Sequence, residues 1–279
     1  MLKQNIEEDD DSKKSHPALM ACSETVWHRA SGTYELPADE VHVWRATLDQ
    51  PPEVMARLLQ VLSADEHARA GKFHFDADRN RHIIGRGMSR LLLGHCLGTA
   101  AKGVRFEYNE FGKPSLQRSG GLRFNISHSG ELVLVALARG RTIGIDVERM
   151  RKDMAQAEIA ERFFSPRECA ALAGLAPDMQ CDAFFACWTR KEAYLKARGD
   201  GLSLPLDQFD VAFMPGEVPR LIETRHDPAE VHRWTIRALN PGYGCKAAVA
   251  AEGSDWTMKC WDWSRFAADV LRDLRSGLG

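Results

Sequence analysis

The run Leu132-Val133-Leu134-Val135-Ala136-Leu137 is apolar without a break and is closed by the turn Arg139-Gly140-Arg141. Strand side chains alternate between two faces, so a short unbroken apolar run describes a strand buried on both sides. A sheet covered on both faces is therefore required. Beyond the turn, Gly144-Ile145-Asp146-Val147-Glu148 resumes as a strand. The sequence predicts a hairpin whose second arm presents Asp146 and Glu148, two residues apart, on one side of the sheet.

A second spacing lies downstream, in Trp188-Thr189-Arg190-Lys191-Glu192-Ala193-Tyr194-Leu195-Lys196. On a helix, Glu192 and Lys196 share a face. Taken singly, each spacing also fits a solvated strand end or a surface ion pair worth little. Together they supply three carboxylates and an amine. Three gathered carboxylates repel unless a cation holds them, and hard oxygen donors beside phosphate suit Mg²⁺. The amine would then face phosphate charge developing in a transition state.

Along the chain, residues 1–38 read as a flexible, acidic and polar extension with room for a short strand. Val41–Arg45 alternates as a strand, Pro52–Arg69 has helical periodicity, and Asp78–Leu97 is a longer helix stopped by Gly98. Strands are expected near 104–108, 122–127, 131–138 and 142–148. The second half predicts helices over Ala155–Arg162, Pro166–Ala173 and Asp182–Ala197, the last closed by Gly199. Strands near 208–214, 231–238, 245–251 and 257–262 follow, then a helix over about 264–275. A long helix, a Gly-rich turn and antiparallel strands thus occur twice, although the halves are too dissimilar in sequence to show a repeat unaided.

The remaining composition mostly excludes. No apolar run approaches the ~20 residues that span a bilayer, and the start Met1-Leu2-Lys3-Gln4-Asn5-Ile6-Glu7-Glu8-Asp9-Asp10-Asp11 is too acidic for a signal peptide. A cytoplasmic protein without a membrane partner is expected. The seven cysteines form no Cys-x-x-Cys pair, and the ten histidines show no zinc spacing. A net charge of −2 argues against a nucleic-acid track, but Arg69, Lys72, Arg79, Arg81, Arg86 and Arg90 outnumber Asp76 and Asp78 locally. Such a segment is either a solvated helix face or a seat for a phosphorylated small molecule.

Four further segments complete a pattern: Phe111-Gly112-Lys113-Pro114, Phe124-Asn125-Ile126-Ser127-His128-Ser129, Gly144-Ile145-Asp146-Val147-Glu148 and Trp188-Thr189-Arg190-Lys191-Glu192-Ala193-Tyr194-Leu195-Lys196, followed by Gly201-Leu202-Ser203-Leu204-Pro205-Leu206. In this order and spacing the chain, over about residues 40 to 265, resembles the surfactin-type (Sfp-type) 4′-phosphopantetheinyl transferases. The resemblance implies an α+β, pseudo-twofold fold of two similar halves, 39–145 and 146–279, with the active site in the cleft between them. It implies transfer of the 4′-phosphopantetheine arm of coenzyme A to a serine of an apo acyl or peptidyl carrier protein, releasing 3′,5′-ADP. The expected cofactor is Mg²⁺, with Mn²⁺ as substitute, and a monomer is expected because one chain supplies both halves.

Carried over by motif, Asp146, Glu148 and Glu192 hold the metal, Glu192 is also the general base, and Lys196 stabilises or protonates the leaving phosphate. His128 contacts the 3′-phosphate of coenzyme A, Ser127 lies in the nucleotide pocket and Lys113 meets the nucleotide end. Arg81 takes the place of a phosphate-binding basic residue, with Arg69 as a second, and Lys191 touches the phosphates. Glu66 stands where some members carry a Lys, a departure in the 3′-phosphate clamp. The basic, methionine-bearing segment Arg149-Met150-Arg151-Lys152-Asp153-Met154 is either a solvated loop or a rim for an acidic carrier protein. Two other classes fit parts of the pattern: a non-catalytic coenzyme A and carrier-binding protein, and a Mg²⁺-dependent nuclease or nucleotidyltransferase.

Overall fold

The computed structural model of the protein describes residues 25–29, 34–152, 154, 156–199, 201–264 and 266. Its elements are β1 (Trp27–Arg29), β2 (Glu40–Thr47), α1 (Pro52–Val61), α2 (Ala64–Ala70), α3 (Asp76–Leu97), β3 (Phe106–Tyr108), β4 (Pro114–Leu116), β5 (Leu122–Ser129), β6 (Leu132–Arg139), β7 (Ile143–Arg149), α4 (Gln156–Phe163), α5 (Pro166–Ala173) and α6 (Pro177–Arg198). Then come β8 (Phe209–Val211), β9 (Leu221–Thr224), α7 (Glu230–Arg233), β10 (Trp234–Leu239), β11 (Cys245–Glu252) and β12 (Thr257–Asp262). The helix expected over about 264–275 lies almost wholly outside the described residues. No described helix is long and apolar enough to cross a membrane.

A five-stranded sheet runs β1-β12-β2-β6-β5 and a three-stranded sheet runs β10-β11-β7. They face each other across a core of Val41, Val43, Leu132, Leu134, Val147 and Val249. The other face of β6, Val133, Val135 and Leu137, packs with Leu58, Ile84 and Met88 of α1 and α3. Both faces of β6 are thus covered, the physical reason for its unbroken apolar run. The expected β6–β7 hairpin does not form. Both edges of β6 are taken, by β2 and β5, so the turn hands the chain to the second sheet, where β7 pairs with β11.

The two halves repeat one plan. The order β2, two short helices, α3, hairpin β3–β4, β5, β6 recurs as β7, two short helices, α6, hairpin β8–β9, β10, β11. Their strand orders, β2-β6-β5 and β7-β11-β10, correspond. A buried ion pair recurs as well. Glu66 Oε2 accepts the Ser63 N–H and meets Arg90 of α3 at 2.5 Å. Glu168 Oε2 accepts the Ser165 N–H and meets Lys191 of α6 at 2.7 Å. Arg90 and Lys191 occupy the same position in two helices that are each 22 residues long.

Several boundaries differ from expectation. The single helix over Pro52–Arg69 is two, because Ser63 is extended (φ −77°, ψ 167°) and caps α2 with Glu66. The division at 145/146 falls inside β7, and β12, from the far end of the chain, inserts between β1 and β2 of the first sheet. Within the stretch read as an extension, β1 pairs with β12, and Tyr34 and Leu36 are buried in the first core.

Candidate active site

Along β7, Ile143, Ile145 and Val147 face the core between the sheets, which turns Gly144, Asp146 and Glu148 the other way, toward α6. Gly144 sets how closely the helix lies. A Cβ there would overlap the backbone of Ala193 and Ala197, so glycine alone permits this approach. The helix then lays Glu192 and Lys196 beside the strand. Lys196 Nζ lies 2.6 Å from Asp146 Oδ1 and 3.1 Å from Ser127 Oγ. Its ion-pair partner is therefore on the neighbouring strand β7, not one turn back at Glu192.

The first half contributes β5. Asn125, Ser127 and Ser129 alternate along it and reach the free edge of β7. Asn125 Oδ1 accepts the Ile145 N–H at 2.9 Å, Ser127 Oγ accepts the Val147 N–H at 3.2 Å, and Ser129 Oγ accepts the Arg149 N–H at 3.0 Å. The Ser127 hydroxyl donates to Asp146 Oδ1 at 3.1 Å and the Ser129 hydroxyl to Glu148 Oε2 at 2.7 Å. The carboxylates thus sit where the two halves are stitched together by side chains. The sequence reading gave Asn125 and Ser129 no role. Their alternation of small polar groups along an otherwise apolar strand was the available signal.

Burial is the first cause raising the Glu148 pKa, and the Asp146 charge adds to it against the Ser129 hydrogen bond. Glu192 is raised likewise, by burial first, then by Asp146 and Glu148, with Lys196 opposing. For Lys196, burial works against the ammonium, but Asp146, Glu192 and Glu148 outweigh it and its pKa rises. Asp146 is 2% exposed, and its Oδ2 has no hydrogen-bond partner among the described residues. Carboxylate oxygens are Mg²⁺ donors. A divalent cation would satisfy the orphaned oxygen and offset the crowding that raises Glu148 and Glu192. Among the described residues no three acidic, histidine or cysteine side chains form a ready ligand cage; Lys196 holds Asp146 instead. The donors fit Mg²⁺ as an open set that further oxygens must complete.

The other expected residues fall into two groups. His128, next along β5, points to the opposite face from Ser127 and is exposed. Its pKa is lowered by desolvation first, then by the charges of Arg81 and Lys196. Arg81 is also engaged structurally, donating Nε and Nη2 to Gly130 O and pairing with Asp78 at 2.6 Å. Lys113 donates to Ala197 O at 2.9 Å, at the C-terminus of α6 where a cation opposes the helix dipole. It also lines a cavity of about 240 Å³ with Asn109, Arg123, Arg198 and Gly199. Arg69 is exposed on a separate cavity of about 210 Å³, with Glu66, His82, Arg86 and Tyr108.

Lys191 is a correction. It is fully buried, and its ammonium is bound by Glu168 and by the carbonyls of Leu206 and Phe209. One residue from Glu192 on a helix is about 100° around the axis, so it faces the core while Glu192 faces the cleft. Glu66, the departure noted in the sequence, is buried on Arg90 in the same manner. Trp188 packs on Phe163, Phe164 and Phe184. Met150 and Met154 are partly buried against the second core.

The chain matches two family models: residues 142–251 match the 4′-phosphopantetheinyl transferase superfamily, and residues 42–139 match the N-terminal part of a 4′-phosphopantetheinyl transferase. It is 42% identical to the 4′-phosphopantetheinyl transferase HetI of Nostoc sp., over 81% of this chain and 93% of that one. It is 32% identical to the 4′-phosphopantetheinyl transferase Sfp of Bacillus subtilis, over 75% of this chain and 91% of that one.

Proposed function

The chain belongs to the 4′-phosphopantetheinyl transferase superfamily, and from that premise we infer that it is the enzyme that moves the phosphopantetheine arm of coenzyme A onto a carrier-protein serine. The observation that carries the reading is the meeting of Asp146, Ser127 and Lys196 between β5, β7 and α6.

Asp146, Glu148 and Glu192 would hold Mg²⁺. When bound, the ion neutralises diphosphate charge. The chain's own groups do the rest. Glu192, with its pKa raised by burial and by Asp146, would act as general base and take the serine hydroxyl proton, since a base works best with a pKa nearer the operating pH. The serine oxygen bonds to the phosphorus bearing pantetheine, the bond from that phosphorus to the bridging oxygen breaks, and 3′,5′-ADP departs with the bonding electrons. Lys196 stays protonated because its pKa is raised, which favours a fixed charge on the leaving phosphate over proton donation. His128 and Arg81, on the far face of β5, suit the 3′-phosphate, and Lys113 suits the nucleotide end. Arg69 is further off, with the second cavity. The cleft is complete within one chain, consistent with a monomer.

The test is to incubate the protein with coenzyme A, Mg²⁺ and an apo-carrier protein. The carrier should gain the mass of one phosphopantetheine arm and release one 3′,5′-ADP. Tight coenzyme A binding without a mass gain would leave a binding protein, and the transferase reading would be wrong.

A further inference from the structure

The β5–β7 seam has a regular construction. Two serines, two residues apart, each accept the N–H of the residue that follows a carboxylate and donate a hydroxyl to that carboxylate: Ser127 with Val147 N and Asp146, Ser129 with Arg149 N and Glu148. The N–H takes a lone pair of the hydroxyl oxygen, which leaves the hydroxyl proton for the carboxylate. Each clamp therefore orients one carboxylate oxygen from a backbone anchor. Ser127 is shared with Lys196 at 3.1 Å. Among the described residues Ser129 has no such second charge in contact, and its bond to Glu148 is the shorter of the two, 2.7 Å against 3.1 Å.

We propose that Ser129 is a positioning residue of the transfer reaction: it touches neither coenzyme A nor the reacting atoms, but fixes Glu148 in the orientation that binds the divalent cation. This rests on the reading of Asp146, Glu148 and Glu192 as the metal-holding set. Without the hydroxyl, Glu148 is a half-buried carboxylate free to turn toward solvent, and the cation must pay for ordering it. Loss of an outer partner of a metal-ligating group typically weakens metal affinity about 10–100-fold. Ser129 lies on the strand end, so the change should fall on the metal more than on the fold.

The experiment measures Mn²⁺ binding, with free Mn²⁺ counted by electron paramagnetic resonance. The protein is saturated with coenzyme A, no carrier protein is present, and a coenzyme A blank is subtracted. Ser129→Ala should weaken Mn²⁺ by about tenfold, and in turnover should raise the Mg²⁺ concentration for half-maximal rate while leaving the KM for the carrier unchanged. Ser129→Thr, which keeps the hydroxyl, should restore most of the affinity, and remains informative if the alanine variant folds poorly. Glu148→Gln, run in parallel, separates the two ideas. Lost Mn²⁺ binding in Glu148→Gln with wild-type binding in Ser129→Ala would overturn the role of Ser129 alone. Wild-type binding in both would overturn the metal set and the inference with it. A lower melting temperature in Ser129→Ala with unchanged Mn²⁺ affinity would leave Ser129 a strand anchor only, and would equally refute the proposal.

Discussion

Replacing Lys191 with methionine separates a ligand contact from internal support. The ammonium is fully buried against Glu168 at 2.7 Å and two carbonyls. Its removal leaves the Glu168 carboxylate, itself 2% exposed, with the N–H groups of Ser165 and Val211 and the Cys187 thiol but no cation to balance it among the described residues. Removing one partner of a buried pair costs about 3–5 kcal/mol, chiefly from the stranded charge; methionine fills comparable space, so little cavity cost is added. At roughly 2–4 °C per kcal/mol for a domain of this size class, the melting temperature should fall by on the order of 10 °C. Adding Glu168→Gln removes the stranded charge, so the double variant should melt higher than Lys191→Met alone. Circular dichroism gives the melts, and calorimetry at low temperature gives coenzyme A affinity, expected within about twofold of the wild type. An unchanged melting temperature together with coenzyme A binding weakened tenfold or more would make Lys191 a phosphate contact and not an internal support.

Lys196→Ala should lower kcat and kcat/KM together by about 10²-fold with little change in carrier affinity, as for a contact made only in the transition state; Lys196→Arg should recover part of the rate, and steady-state kinetics checks both. His128→Ala should weaken coenzyme A by about tenfold, the worth of one good hydrogen bond to a charged group, and 3′-dephospho-coenzyme A hardly at all, which calorimetry with both ligands measures. His42 is buried, its Nδ1 3.0 Å from the Tyr34 hydroxyl and its Nε2 2.5 Å from Glu40, and its pKa is held below 6.5 chiefly by burial. The unfolded chain therefore takes up this proton first as pH falls from 6.5, and stability should decline toward the lower native pKa by at most about 1.4 kcal/mol per pH unit. Urea melts against pH should show this slope, flattened in His42→Gln.

The relative placement of Asp146 with Glu148 and of Glu192 with Lys196 is the legible part of this chain because it is fixed by local periodicity. Two-residue spacing on a strand and four-residue spacing on a helix hold wherever the element lies, and Gly98 and Gly199 end α3 and α6 with left-handed φ of 62° and 84°. Partner choice between elements was not local, and there the reading failed. Nothing within Leu132–Glu148 says that both edges of β6 are taken, so adjacent strands looked like a hairpin. The insertion of β12 into the first sheet depends on residues more than 200 positions from β2. Lys191 misled because its charge suggests phosphate, while its burial depends on Glu168 of α5. One clue to the last point is present: Ser63-Ala64-Asp65-Glu66 with Arg90, and Ser165-Pro166-Arg167-Glu168 with Lys191, share a capping pattern and a following base at nearly the same spacing. A repeat invisible in overall identity survives in its buried charges.

In the proposed reaction the cluster of Asp146, Glu148, Glu192 and Lys196 performs the transfer. Its most direct test is the single-turnover rate of phosphopantetheine transfer to an apo-carrier protein by Asp146→Asn, at saturating coenzyme A and Mg²⁺ and with the fold checked by circular dichroism. Asparagine keeps the shape and removes the charge that holds Lys196 at 2.6 Å. The rate should be lower by about 10²–10³-fold, with the protein folded and still binding coenzyme A. A folded Asp146→Asn protein that transfers at near the wild-type rate would contradict it.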